Sequence, residues 1–310
     1  MLLEIRGLVK RFGDVVAVDH VNLEVQEGEI FGLLGPNGAG KTTILNMLMG
    51  LSRIDDGEII VFGKDIARQA AVVKGNIGIV PQELAIYEDL TAWENVAFFG
   101  KLYGLRGSEL TKRVGEALEF AGLSDKAKDF PRKFSGGMKR RLNIACAVVH
   151  RPKLLVMDEP TVGIDPQSRN HIMGAVKEIH RQGTTILYTS HYMEEVEEIC
   201  TQIVIMDQGR VIARGTKEEL TELVSTENRL VLELSAANFT IVDEIKKISG
   251  VKECAIEDKV LTVLTTKNNH IISKMIDEIT ATGTEVYSLN VQKPTLESVF
   301  LTLTGRTLRD

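Results

Sequence analysis

Ile30-Phe31-Gly32-Leu33-Leu34-Gly35-Pro36-Asn37-Gly38-Ala39-Gly40-Lys41-Thr42-Thr43 is the stretch that decides the fold. Its first five residues form a short apolar run of the kind that makes a strand buried on both faces. After the loop, Ile44, Leu45, Leu48 and Met49 fall at helical spacing. Strand, Gly-rich loop and helix in that order give the P-loop pattern its required context. Gly35, Pro36, Asn37, Gly38, Ala39, Gly40, Lys41, Thr42 and Thr43 are therefore the candidate phosphate-binding residues. Glycines let backbone N–H groups turn inward around phosphate oxygens, and the helix N-terminus adds a favourable dipole. Lys41 is expected to reach the β- and γ-phosphates of a nucleotide, and the Thr42 hydroxyl to ligate Mg²⁺.

A second apolar run, Leu154-Leu155-Val156-Met157, ends in Asp158 and Glu159. Apolar residues running into paired carboxylates point to a strand whose carboxyl end faces a site. Asp158 fits a carboxylate on the Mg²⁺ side. Glu159 is placed to orient and polarise an attacking water, because phosphoryl transfer needs in-line positioning more than covalent chemistry. Taken alone, Asp-Glu after a strand also fits a helix N-cap. A lone Gln82 after Ile79-Val80-Pro81, or a lone His191 after Thr185-Ile186-Leu187-Tyr188-Thr189-Ser190, carries little weight; their order and their position at strand ends carry more.

With these residues assembled, the first 220 residues resemble the ABC ATPase family. Phe134-Ser135-Gly136-Gly137-Met138-Lys139-Arg140-Arg141 is similar to its signature loop, with Phe134 and Met138 where Leu and Gln are common and with Ser135, Gly136 and Gly137 intact. On residues alone, Ser135 caps a helix whose face is Leu142, Cys146 and Val149, with Ala145 beside it. The resemblance implies that Gln82 senses the γ-phosphate and Mg²⁺ and connects to a transmembrane partner. It implies that Gly163-Ile164-Asp165-Pro166 is the D-loop, and that His191 is the switch histidine that contacts the γ-phosphate. Phe12 resembles the aromatic that stacks on adenine; edge packing is the plainer reading of the same residue.

The resemblance further implies ATP sandwiched between two subunits, identical or paralogous, each donating Ser135, Gly136 and Gly137 across the other's nucleotide. It also implies a separate transmembrane permease, and a location on the inner face of the cell membrane. Trp93, Phe98, Phe99 and Tyr103 then lie in the helical subdomain beside the groove that receives the permease, though core packing accounts for at least half of them. Ser190-His191-Tyr192-Met193-Glu194-Glu195-Val196-Glu197 and Pro294-Thr295-Leu296-Glu297-Ser298-Val299-Phe300-Leu301 resemble the branch exporting drugs, lipids, polysaccharides or Na⁺.

The expected fold is α/β: a P-loop NTPase of the ABC ATPase type with a helical subdomain over residues 1–220, and a small ferredoxin-like α+β accessory domain over 221–310. The tail reads β-α-β-β-α-β, with Leu230, Leu232 and Leu234 alternating, helical faces at Ile241, Ile245, Ile248 and at Ile271, Ile272, Met275, Ile276, Ile279, and a hairpin at Glu257-Asp258-Lys259. A last helix is expected after Pro294, capped by Thr295. The Glu- and Thr-rich residues 216–228 read as the linker.

Bulk properties narrow the alternatives. A net charge of −6 in 310 residues offers no argument for a nucleic-acid partner. Three cysteines without short spacing argue for reduced thiols and against zinc. No apolar signal core opens the chain, and no run of about 18 apolar residues exists to span a bilayer. A single P-loop argues against a ribosome-acting ABC protein, and the lack of heptads between Thr43 and Ser135 against a chromosome-organising one. A non-transport regulatory ATPase remains open; co-purification with a polytopic membrane protein separates it from the transporter reading.

Overall fold

The structure is a computed structural model that describes residues 1–224, 227–266, 270–292 and 294–305. The described residues fall into two compact units, Met1–Lys217 and Glu218–Gly305.

The first unit begins with β1 (Leu3–Phe12), β2 (Val15–Val25), β3 (Ile30–Leu34), α1 (Lys41–Leu48), β4 (Asp56–Val61), β5 (Lys64–Asp65), α2 (Ile66–Lys74) and β6 (Ile77–Val80). A helical segment follows: α3 (Ala92–Leu102), α4 (Gly107–Phe120) and α5 (Gly136–Val148). The unit then returns to the sheet through β7 (Leu154–Asp158), α6 (Pro166–Arg181), β8 (Thr185–Ser190), α7 (Met193–Ile199), β9 (Gln202–Asp207) and β10 (Arg210–Gly215).

Six strands form the central sheet in the order β10-β9-β3-β8-β7-β6, parallel except for β10 at the edge. Its middle strands β3, β7 and β8 are buried along their whole length, as continuous apolar runs require. Alternation splits each between two layers. Phe31, Leu33, Leu154, Val156 and Leu187 pack with Ile44, Leu45 and Leu48 of α1 and with a four-stranded antiparallel sheet, β2-β1-β4-β5. Ile30, Leu155, Met157, Ile186 and Tyr188 pack on the other side with Ile144 of α5 and Ile172, Met173 and Val176 of α6. Helix α5 also sends Leu142, Ala145 and Cys146, with Val149 just past its end, into the core of the helical subdomain, beside Val96 of α3 and Val114 and Leu118 of α4. One helix thus ties that subdomain to the sheet.

The second unit contains α8 (Lys217–Val224, beginning at the unit boundary), β11 (Glu227–Leu234), α9 (Phe239–Lys246), β12 (Val251–Glu257), β13 (Val260–Thr266), α10 (His270–Ala281), β14 (Val286–Gln292) and α11 (Leu296–Thr304). Its antiparallel sheet runs β12-β13-β11-β14, the ferredoxin-like order. Leu230, Leu232, Leu234, Leu261 and Val263 cover Ile241, Ile245, Ile271, Met275 and Ile279 in one core. Thr295 caps α11 by accepting a hydrogen bond from the Ser298 N–H.

The boundary between the two units, Lys217/Glu218, falls inside the expected linker at 216–228, but that segment is not a polar connection without structure. Most of it is α8, because Leu220 is fully buried and its Glu and Thr neighbours form the wet face of an amphipathic helix. Ser225 and Thr226 of that segment, and residues 306–310 of the expected second domain, lie outside the described residues.

Candidate active site

The loop between β3 and α1 wraps around the Lys41 side chain. Gly40, the residue before the helix, takes φ 100°, and a Cβ there would sit 2.5 Å from the Ala17 carbonyl oxygen. Only glycine meets both demands. Lys41 is almost wholly buried, and its Nζ donates to the carbonyl oxygens of Gly35 at 2.7 Å and Pro36 at 3.1 Å. Burial lowers its pKa, and the nearby Glu159 carboxylate works against that shift.

Opposite the loop, β7 ends in Asp158, and Glu159 follows directly. Asp158 Oδ1 accepts from the Thr189 hydroxyl at 2.6 Å and lies 3.4 Å from the Thr42 hydroxyl. Glu159 adopts a left-handed backbone, φ 45°, which costs on the order of 1–2 kcal/mol for a residue with a Cβ. Its N–H is held by the Thr189 hydroxyl at 3.0 Å. That turn brings Oε1 to 3.4 Å from Lys41 Nζ and Oε2 to 3.2 Å from His191 Nδ1. Cation, carboxylate and imidazole therefore converge from the starts or ends of three central elements.

A cavity of about 250 Å³ is lined by Phe12, Ala17, Asn37, Gly38, Ala39, Gly40, Lys41, Thr42, Thr43, Gln82 and Glu159. Phe12 offers its ring to solvent at 56% exposure, with Lys10 Nζ 5.3 Å from the ring centroid. Gln82 is held by its backbone: Arg140 of α5 donates to the carbonyl oxygens of Pro81 at 2.7 Å and Gln82 at 2.6 Å. Gly35 and Pro36 serve as acceptors for Lys41 outside the cavity lining.

Ser135, Gly136 and Gly137 do not line this cavity. Ser135 caps α5, accepting the Met138 N–H at 3.3 Å. Gly137 packs so tightly on the start of α6 that a Cβ would meet the Ser168 hydroxyl and lie 2.5 Å from Ser168 Cβ. Asp165 caps α6 by accepting the Ser168 N–H at 2.9 Å, with Pro166 in the first turn. The signature-like loop and the D-loop-like segment thus form one surface of the chain.

Three residues that sequence reasoning passed over take part in the geometry. Thr189 bridges Asp158 to the Glu159 backbone, and its only signal was a hydroxyl at the end of a buried strand, beside those of Tyr188 and Ser190. In sequence Arg140 stands within the signature-like loop without a role of its own. Glu195 is one of several glutamates in α7 and alone is buried with three hydroxyl partners.

Residues 18–162 match the family model described as ABC transporter. A linearmycin resistance ATP-binding protein of Bacillus subtilis is 46% identical over 311 residues, spanning 100% of both chains. A daunorubicin resistance ATP-binding protein of Streptomyces coeruleorubidus is 35% identical, covering 98% of this chain and 96% of its own. Among solved structures, an ATP-binding subunit of an ABC transporter superposes with a TM-score of 0.66 at 30% identity, covering 72% of this chain and 93% of that one. A dimeric ATP-binding cassette in a post-hydrolysis state, bound to ADP and Pi, gives 0.63 at 27% identity, covering 69% and 98%.

Proposed function

This chain belongs to the ABC transporter ATP-binding family, and on that premise we propose that its ATP hydrolysis, performed where Lys41, Glu159 and His191 converge, powers export through a separate membrane permease. The observation that carries the reading is the contact set itself: Glu159 within 3.4 Å of Lys41 and 3.2 Å of His191, at the mouth of a glycine-rich phosphate cradle.

The roles follow from what each group can do. The loop amides of residues 35–43 and the start of α1 bind phosphate oxygens. Lys41 exchanges its two backbone acceptors for the β- and γ-phosphates. Phe12 supplies a π-face to adenine. Thr42, Asp158 and Gln82 present oxygen donors suited to a hard cation, and Mg²⁺ held there supplies charge neutralisation for the phosphates. Glu159 orients the attacking water and receives its proton, and His191 contacts the γ-phosphate.

Ser135, Gly136 and Gly137 lie off the cavity of their own chain, which supports their donation to the nucleotide of a facing subunit, identical or paralogous. Contacts to the γ-phosphate exist only before hydrolysis, so cleavage removes the differential affinity that keeps the pair closed. No helix among the described residues is long and apolar enough to cross a membrane, so the permease supplies the path and this chain docks on its inner face. Tyr87, half exposed, packs edge-on to Phe98 at 5.1 Å and marks the docking groove, while Trp93 and Phe99 belong to the subdomain core. The names of the two resistance relatives support a small organic compound as cargo. The ferredoxin-like unit acts in assembly or regulation.

Lys41→Ala should lower Mg-ATP turnover by about two to three orders of magnitude. Parental turnover by that variant overturns the assignment.

A further inference from the structure

We infer that Glu195 is a positioning residue: it fixes His191 relative to the Glu159 strand and to α6, so that His191 answers to movement of the segment leading into α6. The inference rests on the reading of His191 given above.

Glu195 lies in α7 with 3% exposure. A carboxylate so buried is costly unless its oxygens are satisfied. Its Oε2 accepts from the hydroxyls of Thr161 at 2.8 Å, Tyr188 at 2.9 Å and Ser190 at 3.1 Å. Among the described residues Oε1 makes no hydrogen bond and has only the charge of Arg169, whose Nε lies 3.3 Å away. Burial, reinforced by the Glu195 charge, raises the pKa of the Tyr188 phenol and keeps it a donor.

Each partner leads back to the site. Thr161 stands two residues beyond Glu159. Ser190 precedes His191, and its hydroxyl also accepts the Tyr192 N–H at 2.9 Å, so one oxygen ties the backbone on both sides of the imidazole. Arg169 stands in the first turns of α6, past the Asp165 cap, with its guanidinium 4.9 Å from the Tyr192 ring centroid. The Tyr192 ring in turn lies 4.2 Å from that of His191. Glu195 thus touches the segment after Glu159, the strand end bearing His191, and α6. An apolar side chain in its place would strand the hydroxyls of Thr161, Tyr188 and Ser190, so Glu195 supports the fold as well, and the test has to separate the two roles.

A double-mutant cycle on the full chain, read by single-turnover Mg-ATP hydrolysis and by ATP affinity, separates positioning from mere support. Glu195→Gln should slow hydrolysis about tenfold or more through misplacement of the imidazole, with affinity within about twofold of the parent. In a His191→Ala background the same substitution should cost less than about twofold, because the residue through which it acts is gone. Ser190→Ala, which deletes one hydroxyl beside His191, should follow the same pattern and serves where Glu195→Gln does not fold. A full additive loss in the His191→Ala background, or parental hydrolysis by the variants of Glu195 and Ser190, overturns the inference. Parental hydrolysis by His191→Ala itself removes the assignment of His191, and the inference falls with it.

Discussion

At the scale of single residues, the site works by placing unlike groups where burial makes each depend on the others. Burial works against the charge of Lys41, while the carbonyls of Gly35 and Pro36 and the Glu159 carboxylate favour it, so a triphosphate enters a cradle already shaped for a cation's partners. Phe12 is different. It is exposed in the free chain, which suits a ring that gains its contact from the base. Phe12→Ala should weaken ATP binding about three- to tenfold, the worth of one aromatic stack, while leaving inorganic triphosphate affinity unchanged. Calorimetry with both ligands checks this; equal losses for the two would place Phe12 in the scaffold. The candidate loop, Asp158 and Glu159 could be read as candidates from the apolar runs they follow, whereas Gln82 and His191 became candidates only with the family resemblance beside their position at strand ends. Thr189, Arg140 and Glu195 were not, since their partners lie far away along the chain and only the packed sheet brings them together.

At the scale of elements, α5 does the joining. Its two apolar faces enter two cores, its Arg140 fork holds the backbone at Gln82, and its N-terminus carries Ser135. Burial lowers the pKa of Arg140, from a starting value high enough that the guanidinium stays charged. The fit of α5 against α6 at Gly137 leaves no room for a side chain, and the blocking Ser168 Cβ cannot rotate away. Gly137→Ala should therefore lower stability by about 1–3 kcal/mol in urea unfolding, and Ser168→Gly in the same chain should recover most of it. A fully stable Gly137→Ala variant contradicts the fit. The buried strands and the β-α-β-β-α-β tail were readable because their periodicities are clean. The polar segment at 216–228 does hold the boundary between the units, but its composition hid a helix that rests on one buried leucine. The antiparallel sheet of β1, β2, β4 and β5 escaped notice because its mixed burial pattern blurs the alternation.

At the scale of the whole molecule, two properties depend on more than one core. The first is stability against pH. His150 follows α5 and stacks face to face on Tyr103 with centroids 3.5 Å apart, and burial lowers its pKa from 6.5 to about 4. The unfolded chain therefore takes up a proton at His150 before the folded one does. The stabilisation is complete above about pH 6.5 and is lost as pH falls toward 4, by on the order of 2 kcal/mol for a residue of intermediate burial. His150→Phe, which keeps the stack, should flatten unfolding free energy across that window; an unchanged slope contradicts the account. The second property is assembly, and it bears on the central claim that a nucleotide gripped around Lys41 is completed by Ser135, Gly136 and Gly137 of a facing subunit. Sedimentation of the Glu159→Gln chain with excess Mg-ATP tests this most directly. The predicted result is a dimer that forms with ATP, dissociates with ADP and fails to form when Ser135→Arg is added. A chain that stays monomeric with saturating ATP, or dimerises equally with Ser135→Arg, contradicts it.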